Sequence, residues 1–163
     1  MKKYLFLLPM LLLGSTAMYA QSIKFSELVS IAGLSNDGVY ASLKQNGNFK
    51  QDYAEQVDGY PMEYFKNTGV KPNSERITSG FYTKLYNGTV LRTLDYTSTD
   101  VQNIINMIGQ AKRYGLEMQF RGVDETNNIY LYSNSFYQVS IYMRRDQTSG
   151  LVEIKQKEYL SLE

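Results

Sequence analysis

Thr99-Asp-Val-Gln-Asn-Ile-Ile-Asn-Met-Ile-Gly-Gln-Ala-Lys-Arg-Tyr-Gly115 reads as one amphipathic helix set between two runs of strands. Val101, Ile104, Ile105, Ile108 and Ala111 recur at the spacing of a single helical face. Thr99 or Asp100 supplies the N-cap. Lys112 and Arg113 occupy the last turn, where cations complement the helix dipole, and Gly115 stops the helix.

On the N-terminal side, from Phe49 to Tyr96, the apolar period changes to two. This predicts strands near 49–56, 60–66, 76–86 and 89–97, with tight turns at Val57-Asp-Gly59 and Asn87-Gly88 and a polar loop over 67–75. Asn87-Gly-Thr89 matches a glycosylation sequon, but between two strand-like runs it reads as a type I′ hairpin turn. On the C-terminal side, strands are expected near 116–122, 128–133, 135–145 and 151–160. Two shorter helices precede the first strand. Phe25, Leu28 and Val29 mark one that ends at Gly33; Val39, Tyr40 and Leu43 mark another, capped by Ser35 and stopped by Gly47. The fold class is α+β, with helices packed on one face of an antiparallel sheet.

Helix, glycine stop and two hairpins occur twice in that order, which predicts duplicated units over 24–97 and 99–160. Setting Lys44 on Lys112 also sets Gly47 on Gly115 and Tyr64 on Tyr132. This tandem helix-plus-sheet order resembles the β-lactamase-inhibitor-protein-like architecture. The short leader, Gln21 after Ala20 and the Tyr/Asn-rich strands resemble small exported proteins of Bacteroides-type bacteria. The first resemblance implies an open sheet face that binds another protein; it carries over no functional residue.

Residues 1–20 have the layout of a secretory signal: Lys2 and Lys3, an apolar run from Tyr4 to Leu13, then Gly14, Ser15, Thr16 and Ala17. The apolar run is about ten residues, against the about 20 that a bilayer span needs. Cleavage after Ala20 or Ala17 is expected. Residues 21–163 then form a single domain, periplasmic or secreted, without a stable membrane anchor. Without Lys2 and Lys3 the net charge of +1 becomes about −1, which gives no electrostatic footprint for nucleic acid.

The chain has no His, Cys or Trp. Ser-His-Asp and thiol catalysis are thereby excluded, as are disulfides and ordinary zinc, copper or haem sites. No catalytic residue, metal ligand or cofactor is expected. Carboxylate chemistry stays formally open, but the 16 acidic residues are scattered, apart from Asp124-Glu125. Asp124–Asn128 lacks the glycine and distal glutamate of a calcium loop. Arg144-Arg145 and Lys112-Arg113 read as solvated ends of elements.

Of the 15 tyrosines, all but Tyr4 and Tyr19 follow the leader. In 136–143, Tyr137, Val139, Ile141 and Met143 form the apolar face. If Ile129 and Leu131 also face the helices, one sheet face presents Tyr64, Tyr82, Tyr86, Tyr130, Tyr132, Phe136 and Tyr142. Tyrosine combines rigid area with a polar tip and is enriched at interfaces, although it is also simply a good strand residue. The expectation is a non-enzymatic exported binding protein using this face, with another envelope protein, a glycan or a second copy as partner. The alternative is a carboxylate-dependent enzyme or glycan-binding accessory protein of the envelope. Chain exported from a bacterial host should have the mass of a product beginning at Gln21, or at Met18 after the earlier cleavage. Intact-mass measurement checks this, and the full-length mass would overturn it.

Overall fold

A computed structural model describes residues 22–69 and 74–158; the leader at 1–20 lies outside the described residues. The helices are α1 (Phe25–Ala32), α2 (Asn36–Asn46) and α3 (Val101–Arg113). The strands are β1 (Phe49–Val57), β2 (Tyr60–Asn67), β3 (Glu75–Lys84), β4 (Val90–Ser98), β5 (Glu117–Val123), β6 (Asn127–Ser133), β7 (Tyr137–Arg144) and β8 (Gly150–Gln156). The Ser35 side chain accepts from the Gly38 amide to cap α2, and Asp100 accepts from the Asn103 amide to cap α3. Gly47 and Gly115 take φ of 69° and 85°, left-handed values that end a helix most cheaply at glycine.

All eight strands form one antiparallel sheet in the order β1-β2-β3-β4-β8-β7-β6-β5. Two four-stranded meanders thus meet along the β4–β8 ladder, in register from Thr93↔Lys155 to Ser98↔Gly150. Helix α2 packs against β1 and β3, α1 against β4 and β8, and α3 against β4, β7 and β8. Their apolar stripes close one core with Phe65, Ile77, Leu94, Tyr96, Val139, Ile141, Val152 and Ile154. Cross-strand pairing joins these residues in sequence, so they share the helix-covered face. A buried polar cluster pins α3 to the sheet: the Tyr96 hydroxyl donates to Glu75 Oε1 at 2.8 Å and accepts from Asn103 Nδ2 at 2.8 Å.

The first strand of each meander, β1 and β5, lies at a sheet edge and carries a bulge. The irregularities fall between Gln51 and Tyr53 and between Met118 and Phe120. A third bulge falls between Phe81 and Thr83 in β3. The link from β3 to β4 is not a type I′ turn. Asn87 does not have positive φ; Gly88 alone in that link does, at 85°, and the Leu85 amide donates to the Thr89 carbonyl. Asn87 Oδ1 instead accepts from the Thr89 amide at 2.9 Å.

Tyr130 and Tyr132 face the helices, not the open side. The Asn134 side chain accepts from the Phe136 and Tyr137 amides, and the tight turn it holds sets Tyr132 opposite Val139 and Tyr130 opposite Ile141. Cross-strand partners share a face, so with Val139 and Ile141 in the core both tyrosines turn toward it, Tyr132 fully and Tyr130 partly buried, and Ile129 and Leu131 turn outward. Tyr132 is fully buried beneath α3, 0% exposed. Tyr132→Ala should therefore cost about 3–5 kcal/mol, the range for emptying an aromatic site in a core. Urea unfolding measures this, and a loss below about 1 kcal/mol would contradict the register.

Candidate functional site

No described helix packs on the opposite sheet face, so its side chains are the candidate surface. Ladder register fixes its central row. From edge to edge it reads Tyr53, Tyr64, Thr78, Asp95, Glu153, Ser140, Leu131 and Phe120, each the cross-strand partner of the next. The chemistry is nearly palindromic about the β4–β8 seam: an acid, a hydroxyl, a large side chain and an edge aromatic on each side. Tyr53 and Tyr64 stack, with ring centroids 4.2 Å apart and planes 13° from parallel. The Tyr64 hydroxyl donates to Glu55 Oε1 at 2.7 Å, and that bond above all pushes its pKa up to about 12. Phe120, at the far edge, is half exposed.

The seam sets two carboxylates opposite one another. Glu153 is paired with Lys155 Nζ at 2.7 Å, whereas Asp95 Oδ1 is buried with no hydrogen-bond partner among the described residues. Burial, then the neighbouring Glu153 charge, raise the Asp95 pKa to about 6, with Lys155 opposing. Lys155 also sits over the Tyr82 ring, 5.8 Å from its centroid, and the Tyr82 hydroxyl donates to the Gln156 carbonyl at 2.5 Å. The centre of the open face is therefore acidic, with one lysine and two anchored tyrosine rings around it.

Of the seven aromatic residues expected on this face, Tyr64, Tyr82 and Tyr142 are on it. Tyr130 and Tyr132 are on the other side. Tyr86 lies in the β3–β4 link, fully exposed at the turn, and Phe136 lies in the turn before β7. The face thus brings together three of the seven and adds Tyr53 and Phe120, which the sequence reading missed. Both follow a bulge in an edge strand, and bulges leave no local signature in a period-two pattern. Asp95 was readable as outward from Leu94-Asp-Tyr96, but its position opposite Glu153 depends on a long-range pairing.

Among the described residues no group of His, Cys, Asp and Glu is arranged to hold a metal ion, and no helix is long and apolar enough to cross a membrane. No known protein family, curated protein or solved structure matches the chain.

The Asp95 pKa gives a sign for pH dependence. The folded chain retains this proton between about pH 4 and 6, where an unfolded aspartate has lost it, so the contribution of Asp95 to stability falls as pH rises through that window. Asp95→Asn should gain about 2–3 kcal/mol relative to the parent on going from pH 4 to pH 7. Urea unfolding at the two pH values checks it, and a constant difference would contradict the assignment.

Proposed function

We propose that this chain is an exported, non-enzymatic binding protein and that the open sheet face is its contact surface for another envelope protein. The observation that carries this reading is the central row: uncovered aromatic residues at both edges and an incompletely paired carboxylate at the middle. Tyrosine and other aromatic side chains are enriched at protein contact surfaces. The lack of His and Cys in the sequence supports a binding role over a catalytic one. The leader-like segment 1–20 supports export.

The same reading takes the fold as a duplicated helix-plus-four-strand unit. Three features support duplication: the strand order that reverses at the β4–β8 seam, the left-handed glycine stops at Gly47 and Gly115, and the bulge early in the first strand of each meander. Tyr64 and Tyr132 do not correspond, because they point to opposite faces; Leu131 is the open-face counterpart of Tyr64. The likeness to the β-lactamase-inhibitor-like architecture belongs to this proposal and supports use of the open face.

The full chain, expressed with its own leader and a C-terminal tag, should capture a partner from envelope extract. A Tyr53→Ala/Tyr64→Ala/Tyr82→Ala variant with an unchanged far-ultraviolet spectrum should capture at least tenfold less. Equal capture by both would overturn the open face as the contact surface.

A further inference from the structure

At one end of the open face, where β3 and β8 begin and β4 and β7 end, lies a groove of about 540 Å³. Its floor is a second cross-strand row, Arg76, Thr97, Leu151 and Tyr142, each the partner of the next. Asn127 and Arg144 close the far side, and the strand ends add serine and threonine hydroxyls. The volume falls within the range of small-molecule sites.

The charge of this groove is opposite to that of the acidic centre. Among the described residues two arginines line it and no carboxylate does. Arg76 has no carboxylate partner among the described residues. Asp146 accepts from Arg144 Nε at 3.3 Å and Nη2 at 3.1 Å, which holds the guanidinium in place and commits only one of its edges. Arginine presents a planar fork matched to a carboxylate. Tyr142 and Leu151 offer an apolar patch between the two cations, while Thr97 and Asn127 offer groups that both donate and accept.

The sheet itself narrows the ligand class. The floor strands β3, β4, β8 and β7, and β6 beside them, are all interior strands, so their backbone ladders are already paired. A peptide cannot join the sheet here by adding a strand, and recognition on the groove floor falls to side chains. Paired donor-acceptor groups, an apolar patch and flanking guanidinium groups suit a small hydroxylated ring that bears an acid.

We infer that this groove is a binding site for a saccharide that carries a carboxylate, of the uronic-acid type. The site lies at one end of the open face and uses none of Tyr53, Tyr64 and Tyr82, the residues replaced in the capture experiment.

Calorimetric titration of the full chain, expressed with its own leader, with tetragalacturonate tests it, beside neutral maltotetraose and a tetraglutamate peptide. Tetragalacturonate should bind. Arg76→Gln and Tyr142→Ala should each weaken binding at least tenfold without loss of the folded far-ultraviolet spectrum. The Tyr53→Ala/Tyr64→Ala/Tyr82→Ala variant should bind as the parent does. No binding of tetragalacturonate, equal binding of the neutral sugar or the peptide, or an Arg76→Gln variant that binds like the parent would each overturn the proposal. Any of these outcomes leaves the envelope-capture result, and the contact surface it tests, to stand or fall separately.

Discussion

The β4–β8 ladder is the constraint on which the other placements rest. It joins two meanders that share no other strand pairing among the described residues, and its register decides which side chains of each meander meet across the seam. Leu94 and Tyr96 pair with Ile154 and Val152, which makes one continuous apolar floor for α1 and α3. The same register turns Asp95 and Glu153 to the other side as direct neighbours. Like charges directly opposite in a ladder are unfavourable, and a buried acceptor without a donor adds to the cost. The seam that completes the core therefore also creates the least satisfied spot on the open face.

The helices follow from that floor. Glu75, Tyr96 and Asn103 form a buried hydrogen-bonded link from β3 through β4 to α3. Its members come from three successive elements, β3, β4 and α3, and all three are buried. Burial pushes the Tyr96 phenol well above its ordinary pKa, so the hydroxyl stays a donor to Glu75. Such a link fixes the height and rotation of α3 more tightly than apolar contact alone, because a small shift would leave buried polar groups unpaired.

The elements themselves were legible in the amino-acid sequence because each has a local cause. The stripe of α3, the Ser35 and Asp100 caps, and the Gly47 and Gly115 stops require only neighbouring residues. Facing was less legible. Ile129-Tyr-Leu-Tyr132 alternates large apolar residues on both sides, so hydropathy does not choose between them. The turn held by Asn134 makes that choice through β7, by way of the Tyr132↔Val139 pair. The central row and the groove were beyond local reading altogether, since each is assembled from four or more strands. Arg76 and Tyr142, for example, fall in one row only through the pairings of β4 and β8, which lie between them.

The two edge bulges have a further consequence. An eight-stranded sheet with one bare face has two outer strands, β1 and β5, each with unpaired amides and carbonyls along its rim. A flat rim of this kind is a template for addition of another chain and for growth of fibrils. In β1 the inserted residue is Asp52, ion-paired with Lys66, and in β5 it is Gln119. A bulge sharpens the local twist and breaks the even spacing that an incoming strand would need. The interruptions that move Tyr53 and Phe120 into the central row thus also guard both margins of the sheet against edge-to-edge addition.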